Sequence, residues 1–378
     1  MDALQKLRLL GAATCYEPAE ETGAPQPPPR RARDLDLAGA VYNAVLPGGK
    51  RIPLLKTLLT SACERNCIYC PFRDGRDFRR TTFSPDELAG AFIQLHRQGV
   101  VEGIFLSSGV AGGGANTQER ILATAEILRQ RYEFRGYLHL KVMPDAERDQ
   151  ILAAMRLADR VSVNLEAPNA ERLAALAPRK NFASELLQRL QWIEEIRRTE
   201  PGSWPSSTTQ FVVGAVDESD SELLTTTDYL YHNVGLKRAY FSSFSPVIDT
   251  PLEGHPPSPA QREHRLYQSS FLLRDYGFSV EELPFDAEGN LPQDRDPKLA
   301  WAERCLSHTP IEVNTADRAA LLRVPGIGPT SADRILRARR QGALRDLVDL
   351  RKLGIAPRRA IPFILLAGRR PPRQLALW

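Results

Sequence analysis

The chain has 378 residues, 42% of them hydrophobic and 25% charged, with a formal net charge of +4. These are ordinary values for a soluble globular protein with room for a large domain and a small one, or for two to three of average size. They leave no place for a membrane helix, because no apolar run approaches the roughly 20 residues that a span requires.

The five cysteines are an odd number, and no secretory signal precedes them, so a reducing, cytoplasmic setting is expected and a disulfide is the weakest reading of any of them. The N-terminus, MDALQKLRLLGAATCYEP, reads as the start of an amphipathic helix rather than a signal or lipoprotein peptide. It begins with an acid, its apolar core is short, and Thr14 is a poor residue before a processed Cys15. The rest of residues 1–50 reads as irregular, with the Pro-, Glu- and Arg-rich stretch 17–34 an extended linker. From residue 51 short apolar strands alternate with amphipathic helices. Strands are expected at 53–60, 103–108, 136–142, 160–166, 209–215 and 238–244. Helices are expected between them: one opening on the capping box Ser84–Glu87, and others over 116–132, 145–158, 182–197 and 219–232. Repeated strand–helix units of this kind predict a parallel sheet covered by helices, with the active site beyond the C-terminal ends of the strands. Residues 245–300 are Pro-rich with one helix, 286–300 read as a connector, and a compact helical module follows from 301. Residues 1–50, 51–285, 286–300 and 301–378 are thus the expected extension, α/β domain, connector and C-terminal domain.

Three of the five cysteines, Cys63, Cys67 and Cys70, crowd into SACERNCIYCPF, just after the first expected strand. Three thiolates on a tight loop can hold three irons of a four-iron cluster and leave the fourth open to a substrate, whereas electron-transfer clusters usually take four cysteines. Zinc is the main alternative, but structural zinc sites usually pair two cysteine knuckles. Here there is one, and Cys15 and Cys305 are remote and single. Simple structural cysteines are the remaining alternative.

The motif CERNCIYC, with Tyr69 before its last Cys, resembles the signature of the radical S-adenosylmethionine (SAM) superfamily. The resemblance implies a partial (β/α)6 TIM-like barrel, a 4Fe-4S cluster whose open iron binds SAM, and an electron from a reductant such as flavodoxin or ferredoxin. Cleavage of SAM then yields a 5′-deoxyadenosyl radical. It further implies that Tyr69 and the loop SSGVAGGG, with Ser108 and Gly109, meet SAM. Asn164 and Glu166 at the end of the fourth expected strand would bind its ribose or carboxylate, and Gly214 would lie beside its adenine. That last match is looser, with Gln210 and Asp217 where the family has Gly and Glu. Lys141 would pair with the SAM carboxylate or a substrate phosphate, a solvent-facing strand-end lysine being the plain alternative.

The second motif, LLRVPGIGPTSADRILRARR, flanks Pro325-Gly326-Ile327-Gly328 with two helices and resembles the helix-hairpin-helix of DNA-binding proteins. It makes the C-terminal domain a small all-α module, with a weaker second hairpin at 353–368. Backbone N–H groups at such a hairpin contact phosphates without reading sequence. The segment from Arg318 to Trp378 holds fourteen Arg/Lys and three Asp, a net of +11, against −7 on the preceding 317 residues. That asymmetry favours a polyanionic partner over a merely solvated surface. Gly326, Ile327, Gly328, Arg334, Arg337, Arg339 and Arg340 are the expected contacts. The two modules together resemble the DNA modification or repair radical SAM proteins. DNA is therefore the expected partner, with RNA as the alternative substrate and a non-catalytic DNA-binding redox sensor as the alternative function. Cys305 is a candidate hydrogen donor, a buried free thiol being the plainer reading, and Tyr267 and His264 are candidates for the substrate wall.

Overall fold

The computed structural model describes residues 1–12, 14, 30–45 and 51–372. Cys15 and residues 17–29 of the expected linker lie outside the described residues. The chain divides into two compact units, Met1–Glu218 with Tyr229–Ala260, and Ser219–Asp228 with Gln261–Trp378.

The expected N-terminal helix is α1 (Ala3–Ala12), while the expectation that the rest of residues 1–50 is irregular is corrected by α2 (Arg30–Asp34) and strand β1 (Val41–Val45). β1 pairs antiparallel with β2 (Arg51–Leu58). Its residues VYNAV show no strict apolar–polar alternation, and the strand forms because β2 offers it an open edge. Five more strands follow: β3 (Gly103–Ser107), β4 (Tyr137–Lys141), β5 (Arg160–Ser162), β6 (Ser206–Val213) and β7 (Arg238–Ser243). All seven pair in chain order, and those from β2 onward are parallel. The result is a curled half-barrel with helices. The helices are α3 (Pro85–Arg97), α4 (Gly114–Glu126), α5 (Arg148–Leu157), α6 (Ala170–Leu176), α7 (Gln188–Thr199) and α8 (Asp220–Asn233). The expected capping box opens α3, with Ser84 accepting from the Glu87 N–H. A π-helical turn follows α4 and another precedes α7.

Pairing register sorts the strand side chains onto two faces. Leu55, Ile104 and Leu138 share one face, as do Leu140 and Val161, and all are buried. The other face carries Lys56, Phe105, His139 and Arg160 in one row, and Lys141, Ser162, Thr208 and Arg238 in the next. A parallel sheet buried on both faces would show continuous apolar runs. In β4 the alternation Tyr137-Leu138-His139-Leu140-Lys141 separates aliphatic from polar side chains, whereas over β1–β3 this second face carries the buried Ala44, Ile52, Leu54 and Phe105.

The strand expected over 160–166 is regular only to Ser162. Beyond it the Thr209 hydroxyl enters the ladder, donating to Val163 O (2.7 Å) and accepting from Leu165 N (3.1 Å). Glu166 then takes φ +66°, an uncommon conformation for a side-chain-bearing residue. It is held there by Glu166 N to Gln210 O (2.9 Å) and Val212 N to Glu166 O (2.8 Å).

The second unit holds α9 (Ala260–Tyr276), α10 (Pro297–Cys305), α11 (Arg318–Arg323), α12 (Pro329–Ala338) and α13 (Leu347–Lys352). Its core centres on Leu321, Val324, Ile327, Ile335, Leu350 and Phe363. Two features extend the sequence reading. Residues 286–300 are not a free connector, because the buried Asp220 carboxylate holds the segment through Leu291 N (2.9 Å) and also takes Arg262 Nε (2.7 Å). The helical module also contains a short parallel pairing of β8 (Ile311–Glu312) with β9 (Ile364–Leu365). The weaker hairpin begins as expected, with Gly354 at φ +71°. Two 3-10 turns then replace a second α-helix, since Pro357 and Pro362 lack the N–H groups one would need.

Candidate active site

A pocket opens at the C-terminal ends of the first parallel strands of the half-barrel. It is lined by Cys63, Cys67 and Cys70, by Tyr69, by Ser108 and Gly109 after β3, by Lys141 ending β4, and by Asn164 and Glu166 after β5. Nine of the residues singled out in the first unit thus converge from four separate stretches of chain. Gly214 is not among the lining residues. It follows β6 at φ +84°, and its N–H is taken by the Glu218 carboxylate (2.5 Å). Cys305 does not line the pocket and is exposed rather than buried, in the last turn of α10. On α9, Tyr267 is buried and His264 exposed, and neither lines the pocket.

The cysteine loop is held by contacts that the spacing of its thiols does not reveal. Ile68 N donates to Leu176 O (2.9 Å) and Glu64 N to Val110 O (2.8 Å). The Arg65 guanidinium reaches Asp145 (2.6 Å), Glu185 (3.4 Å) and the Arg179 carbonyl. Arg80 donates to the carbonyls of Ser61 (2.9 Å), Phe72 (2.6 Å) and Arg73 (2.8 Å), so one guanidinium gathers both arms of the loop. Glu64 joins the loop to the glycine-rich turn, its carboxylate accepting from Gly112 N and Gly113 N, both at 3.1 Å. These amides precede α4, where a carboxylate is favoured. The glycine-rich turn therefore uses at least two of its N–H groups to grip the cysteine loop.

Gly109 has a similar structural duty. A Cβ there would lie 2.3 Å from Ala62 O and 3.2 Å from the Cys63 Cβ. Gly109→Ala is therefore expected to displace the first cysteine. Iron bound per chain after anaerobic reconstitution should fall by more than half, with the far-ultraviolet circular dichroism unchanged. Full iron loading would show that the loop gives way without cost.

The electrostatics centre on a buried ion pair. Lys180 Nζ lies 3.1 Å from Glu166 Oε1, with both side chains at or below 10% exposure. Burial pulls the Lys180 ammonium down, but Cys67 and Glu166 outweigh it and the net displacement is upward. Burial raises Cys67, with Lys180 opposing, and raises Cys70 strongly. The Phe72 N–H points at Cys70 Sγ (3.4 Å). Tyr69 is also pushed up, by burial first and then by the Glu166 charge beside it.

Lys180 was not legible as a site residue. It lies 14 positions after Glu166 in a loop, and only chain closure places it in the pocket. A weaker signal was missed in the strands, whose polar positions Lys56, His139, Arg160 and Arg238 fall on one face of the sheet.

The donor set fits an iron–sulfur cluster. Three thiols meet on one pinned loop, a backbone N–H faces one of the sulfurs, and no fourth cysteine among the described residues lines the pocket. Among the described residues no group of three His, Cys, Asp or Glu side chains is arranged to hold a single metal ion.

In the second unit, Gly326 takes φ +84° and Ile327 is buried, as the hairpin requires. Gly328 caps α12. Arg334, Arg337 and Arg340 are exposed. Arg339 turns inward instead, donating to Val313 O (3.2 Å) and Ala316 O (2.5 Å).

The sequence profile of the radical SAM superfamily matches residues 57–230. The half-barrel is a radical SAM domain. A helix-hairpin-helix motif matches residues 307–356. Radical SAM enzymes use a 4Fe-4S cluster and SAM, and these are the cofactors to which the pocket corresponds. No curated protein matches the chain. Among solved structures it is similar to HydG, a maturase of the [FeFe]-hydrogenase, at 9% identity and TM-score 0.47, over 58% of this chain and 49% of that one. HydG from Carboxydothermus hydrogenoformans gives 15% and 0.46 over 58% and 51%. Methylornithine synthase (PylB) gives 14% and 0.46 over 58% and 61%. The chain thus spans about half to three-fifths of the length of these proteins. No helix among the described residues is long and apolar enough to cross a membrane.

Proposed function

We propose that the radical SAM domain cleaves SAM reductively in the cytoplasm, with an electron from a flavodoxin- or ferredoxin-like donor, and that the chemistry is aimed at nucleic acid, DNA foremost, for modification or repair. The observation that carries the choice of substrate class is the polar face of the half-barrel. By register, its strand side chains include Lys56, Lys141, Arg160 and Arg238 and no carboxylate. Three tyrosines share this face: Tyr42, Tyr137 and Tyr240. Arg160 reaches Ser206 Oγ (3.1 Å), and Arg238 lies 5.1 Å from the Tyr240 ring centroid. Burial keeps His139 neutral by lowering its pKa, so it adds a hydrogen-bonding ring rather than a charge. Strand positions that carry cations and no carboxylate suit an anionic substrate. The net +11 of the C-terminal segment supports the same reading.

In this reading Cys63, Cys67 and Cys70 hold the cluster, which when bound supplies the electron that cleaves SAM. Lys141 and Asn164 orient the carboxylate and ribose of SAM. Glu166, fixed by its backbone bridge and by Lys180, presents a carboxylate that cannot swing away.

The test combines chemistry with binding. The anaerobically reconstituted protein should form 5′-deoxyadenosine when reduced, and mass analysis of defined DNA and RNA after turnover should show one modified product. Affinity should fall linearly with salt on logarithmic axes, with the slope reduced by about 1 for each of Arg334→Ala, Arg337→Ala and Arg340→Ala that removes a phosphate contact. A product on RNA alone would move the substrate to RNA. Cluster-dependent DNA binding with no cleavage of SAM would make the protein a redox sensor.

A further inference from the structure

A cleft of about 260 Å³ lies in the second unit between α9, the start of α10 and the hairpin Pro325–Gly328. Gln268, Phe271 and Tyr276 form one wall, with Asp296, Lys298 and Arg359 around them. Lys298 is the unusual member. Its side chain is buried at 8% exposure. Its ammonium donates to Ile327 O at 2.6 Å and sits 4.5 Å from the Tyr276 ring centroid. An ammonium carries three donors, and burying one without full hydrogen bonding is costly. Among the described residues its contacts are one carbonyl and one ring, which leaves Lys298 with capacity for an anion.

Asp296 acts on Lys298 through its charge but makes no hydrogen bond to it. Its carboxylate caps α10 through Leu299 N (3.0 Å), accepts from Gln268 Nε2 (3.2 Å) and pairs with Arg359 (3.2 Å). Arg359, at the rim, keeps more than half of its side chain exposed. The cleft therefore places two cations beside an aromatic wall. A few polar groups set against apolar surface is the composition of a small-ligand site.

We propose that this cleft receives one unstacked nucleotide of a single-stranded nucleic acid, its phosphate between Lys298 and Arg359 and its base against Phe271. The inference rests on the nucleic-acid reading above and adds to it a preference that a hairpin gripping backbone phosphates would not create. A base can enter such a cleft only out of its stack, so single strands should be favoured over duplex.

The titration of Lys298 gives a second handle. Burial lowers its pKa to about 7, with Asp296 opposing and Arg359 and Arg323 adding to the effect, while Tyr276 faces it through its ring. A phosphate binds the protonated form, so affinity should be high below this pKa and fall as pH rises through it.

The experiment measures fluorescence anisotropy of a labelled single strand of about 12 nucleotides, and of its duplex, with the full-length protein at constant ionic strength from about pH 6 to about pH 8.5. The single strand should bind more tightly, and 5′-deoxynucleoside monophosphates should compete better than inorganic phosphate. Phe271→Ala and Arg359→Gln should each weaken single-strand binding about tenfold, the scale of one stacked base or one charged hydrogen bond. Lys298→Met should weaken it similarly and flatten the pH profile. Arg359 is exposed, so Arg359→Gln tests the cleft even where Lys298→Met disturbs folding. A wild-type protein that binds no nucleic acid would overturn the nucleic-acid reading and this inference together. Wild-type binding left intact by Phe271→Ala and Arg359→Gln would overturn the cleft alone.

Discussion

Cys67→Ser, and equally Cys63→Ser or Cys70→Ser, is expected to abolish the visible absorption of the reconstituted cluster and to reduce 5′-deoxyadenosine formation to background. The reason lies in the ligand count. Among the described residues the pocket brings three thiols together and no fourth, so each substitution removes one of the three thiolate ligands, and a serine oxygen is a poor donor to iron where a thiolate is required. The same variants should keep their fold. A buried hydroxyl in place of a thiol costs about 1–3 kcal/mol when it lacks a partner, and the loop is held independently by Arg65, Arg80 and Glu64. Iron analysis, absorption spectra and thermal melts separate the two effects. A triple variant that still binds iron stoichiometrically, or a wild type that takes up zinc in place of iron, would defeat the assignment.

Lys180→Met should lower unfolding stability by about 3–5 kcal/mol, the cost of leaving one charge of a buried pair uncompensated. Glu166 cannot relieve the strain by moving, because its backbone bridges β6 on both sides. Adding Glu166→Gln to Lys180→Met removes the second charge and should recover most of the loss, since a neutral pair of similar shape is nearly as stable. The pH dependence has a definite sign. Burial lowers the Lys180 pKa, but Cys67 first and Glu166 next displace it upward, so the contribution of these contacts is complete below the unfolded-state lysine pKa and declines only as pH rises through the higher folded value. It is therefore constant across the neutral range. Urea unfolding midpoints at unchanged m give the comparison. A loss below about 1 kcal/mol would mean that solvent screens the pair as it does on a surface.

The elements legible in the sequence are those whose cause is local. The capping box at Ser84 and Glu87, the strand–helix alternation and the turn at Gly326 depend on residues a few positions apart. The missed elements depend on closure. β1 is a strand because β2 has an edge to offer. Arg339, read as one of several arginines on an exposed helix, meets the carbonyls of Val313 and Ala316 only once α12 folds back. Gly109 reads as a glycine for ligand approach, yet its Cβ position is closed by Ala62 O across the turn.

For the site itself the division is similar. The spacing of Cys63, Cys67 and Cys70 determined by itself that three thiolates would share one loop after a strand, because ligation by neighbouring residues is a short-range matter. Which charges face that loop was settled only by the tertiary structure. Lys180 meets Glu166, and Glu64 meets the amides of Gly112 and Gly113, across separations of 14 and nearly 50 residues. Buried ion pairs and helix-end contacts form wherever the packed chain leaves a charge without water. Their partners therefore follow from the packing of the whole domain and not from the order of residues along a segment.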